Sequence, residues 1–182
     1  DIALSKGIKI HLNTLVDKII QDNNRVTGLS VNNNVKKFDK IISNVDVDFT
    51  YSKLLNDHTS NDAVKYSKME PSSSALIFLW GIRGNYNQLE IHNILFSENY
   101  ELEFNELFNS QLLPKDPTIY IYISSKYNKH DALDNHENWF VMINTPPNKN
   151  QDWQQIIDKF RDIIILKIKK TLQIDLSDKI VF

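Results

Sequence analysis

Apolar and polar positions alternate along this chain as far as Val45, then gather into longer apolar runs after Pro71. The alternation over Gly7–Leu12 predicts a short strand entered through a glycine turn. Val16–Ile20 and Val26–Val31, separated by the polar segment Gln21–Arg25, predict a hairpin. Asn32–Asn34 makes a second turn before Val35–Phe38. The adjacent isoleucines at 41 and 42 predict a further strand over Lys40–Val45, covered on both faces. Together these segments predict a small twisted β unit. From Asp48 to Lys68 the pattern turns helical, with Asp48 as the cap of a helix through Thr50–Leu55. Glu70–Pro71 then extends the chain, because a residue preceding proline is biased away from the α region. A crossing between two structural units is expected there.

Beyond Pro71 the strands are broader. Ala75–Trp80 is apolar on both strand faces, which predicts a covered position rather than a half-solvated sheet edge. Leu89–Phe96 divides into one face carrying Asn93 and another carrying His92. Tyr100–Phe108 reads as a helix with Tyr100, Phe104, Leu107 and Phe108 on one stripe, and Glu101, Glu103 and Glu106 mainly on a solvated side. In Thr118–Ile123 the isoleucines share one face and Tyr120 and Tyr122 the other. One face is therefore core and the other an aromatic surface suited to a long unsaturated ligand or another protein layer. Trp139–Asn144 is a buried strand. Asp152 caps a helix from Trp153 to about Leu172, whose 3.6-residue repeat predicts that it packs across the sheet. Ser177–Phe182 begins another strand. The fold class is α+β: a mainly antiparallel sheet with covering helices, plus a smaller β unit.

Composition narrows the chemistry. A chain of 182 residues with 41% hydrophobic content can fill a real core, and a formal charge of −2 gives no nucleic-acid footprint. The absence of cysteine excludes a disulfide framework and fits a reducing compartment. No run approaches the roughly 18 apolar residues that span a bilayer. Four glycines are few for an intact nucleotide-binding α/β enzyme. His92 sits in an otherwise apolar strand, either orienting a substrate or capping a carbonyl. His130 and His136 lie in a polar loop with Asp131, Asp134 and Glu137, but their spacing matches no zinc signature, so no metal is expected. Arg161, Lys169 and Lys170 flank the last helix and would suit a membrane surface. The first unit reads either as a plain meander or as the edge of a cofactor site, with backbone near Val16 or Ser43–Asn44 bonded to a ring system.

Several blocks carry a resemblance: Gly7–Val16 with Val26–Leu29, Ile41–Asp46 with Thr50 and Tyr51, Ser72–Ile82, His92–Phe96, Leu113–Tyr120 and Glu137–Pro146. In this order and spacing the chain resembles the middle of a phytoene desaturase-like carotenoid desaturase, within the amine-oxidase-like flavoproteins. The resemblance implies a parent enzyme that binds FAD non-covalently and desaturates carbon–carbon single bonds of a long apolar polyene. It implies that residues 1–50 are the later part of an FAD-binding domain, 51–71 a crossover, and 72–182 a substrate-binding domain. Val16 would meet the adenine end of the cofactor through its backbone, with Asn44 and Asp46 at a strand end close to it. Trp80, His92, Tyr120 and Tyr122 would line the substrate chamber. No catalytic residue is assigned. The family's opening glycine fingerprint and closing FAD motif are missing, and its Ala-Pro-x-Gly loop stands here as Ala132–Asn135. The chain is therefore expected to be an internal fragment whose partners include the missing parts of the same polypeptide. By itself it is expected to retain no FAD and to be inactive, whereas the parent would be cytoplasmic and peripheral at the membrane. Related alternatives are a retinol-saturase-like enzyme, a hydroxycarotenoid 3,4-desaturase, a terminal-methyl carotenoid oxidase, or a non-catalytic module for apolar ligands.

Overall fold

The computed structural model describes residues 2–23, 25–148 and 151–182. Residues 1–70 and 71–182 form two compact units. The first contains a short helix α1 (Ile2–Ser5) and strands β1 (Val16–Asp22), β2 (Arg25–Val31) and β3 (Asn34–Lys37) in the antiparallel order β1-β2-β3. Asn24, in the expected first turn, lies outside the described residues. The second turn places Asn32 and Asn33 at φ 50° and 61°, a left-handed pair that asparagine tolerates better than most side chains. Gly28 has a different reason. A Cβ there would stand 2.3 Å from the Lys36 carbonyl oxygen, so the close approach of β2 and β3 requires glycine.

Two expected strands do not form. Residues 8–11 run without ladder partners, and so does the segment 40–45, where Ile42 is 95% exposed. Alternation supplies a strand's two faces but not the neighbour its backbone needs, and among the described residues of this unit none pairs in a ladder with either segment. The helix start also shifts. Asp46, not Asp48, caps α2 (Val47–Phe49), its Oδ1 accepting the Phe49 amide at 3.2 Å. A π-helical turn follows over Thr50–Leu54, and α3 (Asn61–Ser67) is capped by Ser60. Ile19, Val31, Leu54 and Ala63 are buried apolar side chains of this unit.

The second unit is a four-stranded antiparallel sheet crossed by a long helix. Strands β4 (Ser74–Arg83), β5 (His92–Leu95), β6 (Ile119–Tyr122) and β7 (His136–Thr145) lie in the order β4-β7-β6-β5. Between β5 and β6 run α4 (Tyr100–Phe104) and a π-helical turn over Asn105–Asn109. Helix α5 (Trp153–Leu172) begins at the Asp152 cap and ends where Gln173 turns left-handed at φ 58°. Its Phe160, Ile164 and Ile168 pack with Trp80, Ile82, Ile119, Ile121, Trp139, Val141 and Ile143. Each such side chain contributes roughly 1.5–3 kcal/mol on burial. The expected sheet, its covering helix and the isoleucine face of Thr118–Ile123 are all present.

Two expectations about this unit are corrected. Strand β4 stands at the end of the sheet, and its outward Leu79 is 65% exposed, so the run is not covered on both faces. Its backbone is nonetheless paired beyond the sheet. Arg83 N donates to the Lys179 carbonyl at 2.8 Å and Val181 N to the Gly81 carbonyl at 2.9 Å, so the terminal segment lies on this edge. In α4 the acids do not all face water. Glu103 is 2% exposed, and its carboxylate takes the Thr118 amide at 2.7 Å and hydroxyl at 2.6 Å. Leu107, four residues on, is buried beside it in sequence register, while Tyr100, Phe104 and Phe108 form an exposed ladder of neighbouring rings.

Candidate functional site: the open face of the sheet

Because side chains alternate along a strand, covering one face of the sheet with α5 leaves the other open. Cross-strand register builds two rows on that open face. One is Ile77, Met142, Tyr120 and Ile94; the next is Leu79, Phe140, Tyr122 and His92. With strands about 4.8 Å apart, each row spans roughly 14 Å. The rings contact one another: His92 is stacked 5.1 Å from Tyr122 and 6.1 Å from Tyr120, and Tyr120 meets Phe140 edge-on at 6.4 Å. His92 Nδ1 and the Tyr120 hydroxyl are 2.8 Å apart. That bond satisfies the phenol within the face and holds the imidazole over its neighbours. The structure thus brings His92, Tyr120 and Tyr122 together. It separates them from Trp80, whose side chain belongs to the helix-covered core, 5.3 Å from Phe78. Sequence gave both faces of Ala75–Trp80 the same apolar character, so its indole had no legible side.

Behind this face a buried carboxylate fixes the β7 end. Glu137, 4% exposed, accepts from Tyr86 N at 3.0 Å, Lys126 Nζ at 2.7 Å and Trp139 Nε1 at 2.8 Å. Burial, with the Glu137 and Asp178 charges, raises the Tyr86 phenol above its ordinary value. By sequence Glu137 belongs to a wet loop and Glu103 to a solvated helix face; the structure buries both. Their sole sequence signal was an acid placed at a core phase of the local repeat. Elsewhere in the loop His136 Nδ1 donates to the Asp134 carbonyl at 2.8 Å, and Asp131 accepts from Ser124 and Asn128. Among the described residues no three His, Asp or Glu side chains gather as metal ligands.

The residues expected at a cofactor are dispersed in role. Val16 opens β1 opposite Val31, Asn44 is exposed in irregular chain, and the Asp46 carboxylate is engaged at its helix cap. A dinucleotide needs a glycine turn opening a helix, so that backbone amides reach its pyrophosphate. Gly28 is consumed by the hairpin and Gly7, at φ 78°, follows α1 rather than opening a helix. The described residues of this chain therefore do not by themselves form a site for a whole FAD.

No protein-family model matches the chain. Over 180 residues it is 44% identical to a 1-hydroxycarotenoid 3,4-desaturase of Flavobacterium sp. (strain P99-3), covering 99% of this chain and 36% of that protein. Over 183 residues it is 34% identical to a 4,4'-diaponeurosporene oxygenase of Staphylococcus aureus (strain bovine RF122 / ET3-1), covering 100% of this chain and 37% of the relative. The chain is a homologue of carotenoid-modifying desaturases and oxygenases. It spans little more than a third of their length. A crystal structure of an oxidoreductase from Methanosarcina mazei shares the fold, with a TM-score of 0.60 at 14% identity, over 97% of this chain and 37% of that one.

Proposed function

We propose that the polypeptide containing this chain is an oxidoreductase that desaturates a carotenoid polyene, and that this chain supplies a wall of its substrate chamber. The observation that carries the proposal is the pair of cross-strand rows, apolar and aromatic, left open on the side of the sheet opposite α5. A polyene offers no charge to grip, so its binding must come from contact area, at about 25 cal/mol per Å² of apolar surface buried. A flat sheet face with ring side chains provides that contact along a rod-shaped ligand.

Forming a double bond removes a hydride from one carbon and a proton from its neighbour. FAD, implied by the family and held largely by parts of the polypeptide outside this chain, would supply the hydride acceptor. The part of this chain is to hold the polyene extended, exclude water from it, and present π faces to the positive charge that develops as hydride leaves. Tyr120 and His92, bonded to each other, present the only hydroxyl–imidazole pair of the two rows and would orient the chain rather than take part in bond breaking. The greater identity to the desaturase than to the oxygenase favours desaturation over terminal oxidation. Among the described residues no helix is long and apolar enough to cross a membrane. Delivery of the polyene from a membrane surface, with the enzyme peripheral to it, is part of the same proposal.

The test uses the intact polypeptide. Replacing Tyr120 and Tyr122 together with Ala should lower the initial desaturation rate at least tenfold while flavin occupancy stays near that of the parent. Asn44→Trp should show the opposite order, losing flavin first. Unchanged turnover in the double tyrosine variant would remove this face from the chamber. Tight polyene binding with no conversion by the parent itself would favour the non-catalytic module.

A further inference from the structure

The open face changes character along β7. Met142 and Phe140 are apolar, Asn138 and His136 are polar, and all four point to the same side because strand side chains alternate. Their partners on β4 change in step: Ile77 faces Met142 and Leu79 faces Phe140, then Gly81 faces Asn138 and Arg83 faces His136. At about 3.3 Å per residue, His136 lies roughly 13 Å along the strand from Phe140. A recess of about 430 Å³ sits at this end, bounded by Leu79, Leu133, His136, Phe140, Val181 and Phe182. Phe140 also borders the shallow depression formed with His92, Tyr120 and Tyr122. The aromatic rows and the recess therefore meet at one ring.

The polar groups around the recess are mostly engaged with each other. Asn138 donates its amide to Ser124 Oγ at 2.7 Å and accepts from Ser125 N at 2.9 Å. Asp131 is held by Ser124 and Asn128, and Glu137 by its three donors. His136 differs. Its Nδ1 lies 2.8 Å from the Asp134 carbonyl oxygen, which can only accept, so Nδ1 carries the hydrogen. In the neutral ring that leaves Nε2 as an acceptor with a fixed orientation, and it has no partner among the described residues.

We propose that this recess takes the end of the polyene and that His136 is a specificity-determining residue for a hydroxyl there, the hydroxyl donating to Nε2. The inference rests on the reading of the sheet face as a polyene wall. The volume falls within the range of small-molecule sites and suits a branched, mostly apolar end group carrying one polar atom. A plain hydrocarbon end would leave Nε2 desolvated without a bond, so discrimination comes from both the bond made and the one left unmade.

The experiment compares two polyenes of equal length, one with a hydroxyl near its end and one without, in the intact polypeptide. The parent should favour the hydroxylated polyene in kcat/KM. His136→Phe should lower that value about tenfold for the hydroxylated polyene and leave it unchanged or raise it for the other, whose end no longer meets an unpaired acceptor. His136→Gln, which keeps an acceptor, should restore much of the preference. Equal losses for both polyenes, or an unchanged ratio, would overturn the proposal. If the parent converts neither polyene, the enzyme reading fails and binding decides the inference. Both polyenes are then titrated against the tryptophan fluorescence of the protein. Tighter quenching by the hydroxylated one that disappears in His136→Phe upholds the recess; equal quenching in both proteins rejects it.

Discussion

Single residues in this chain are fixed by their hydrogen bonds more than by their hydropathy. Asp57 shows this at an exposed turn. Its Oδ1 accepts the amides of Thr59 and Ser60, each at 3.0 Å. Bonding to Ser60, through side chain and backbone, and then to the Thr59 amide holds its pKa down at about 2. A depressed carboxylate stabilises the fold above its unfolded value and loses that contribution as pH falls through the folded one. The turn before α3 should therefore stay intact at pH 4 and loosen as the pH approaches 2. Carboxyl carbon shifts of Asp57 followed by NMR should give a midpoint near 2, and a midpoint near 4 would show that the turn is not held this way. Glu137 is the buried counterpart. Glu137→Ala strands a lysine ammonium, an indole and an amide, and should destabilise the 71–182 unit by about 3–5 kcal/mol, with Glu137→Gln milder. Urea unfolding followed by tryptophan fluorescence measures it; a loss under 1 kcal/mol would mean water replaces the carboxylate at little cost.

At the scale of elements, the sequence was legible where a pattern determines its own outcome. The alternation of Thr118–Ile123 assigns three isoleucines to the core and two tyrosines to the far side, and α5 begins and ends where its cap and 3.6-residue repeat place it. It was not legible where the outcome depends on a partner. Residues 8–11 and 40–45 have strand character but no ladder, because pairing is a property of two segments. Trp80 was ambiguous for a related reason: a run apolar on both sides does not say which face the helix will cover. His92 is the intermediate case. Its phase along β5 was readable, but its bond to Tyr120 required the register that sets His92 opposite Tyr122 and Tyr120 opposite Ile94. Tyr120→Phe should free the imidazole. The shift of His92 Nδ1 by NMR should then move to that of a solvated ring, whereas an unmoved resonance would deny the bond.

At the scale of the whole molecule, the chain carries more apolar surface than its own elements cover. Ile77, Leu79 and Ile94 on the open face, and Phe96, Tyr100, Phe104 and Phe108 beside it in sequence, are all substantially exposed. Patches of this kind mark binding faces, and the homology to proteins about three times as long gives the context in which they act. Purified alone, the chain should carry no stoichiometric flavin, since its glycines make no pyrophosphate cradle. An absorption spectrum with one bound flavin per chain would contradict that.

The central claim is that the face of the sheet opposite α5 is the polyene wall, and labelling in the intact polypeptide tests it most directly. A polyene analogue bearing a photoreactive group, activated in the complex and followed by peptide mapping, should mark residues within 92–96, 118–123 and 136–142, with Phe140 and Tyr122 foremost. Competition by unlabelled polyene should remove the adducts. Adducts confined to α5 or to residues 1–70, with none on the two rows, would contradict the account.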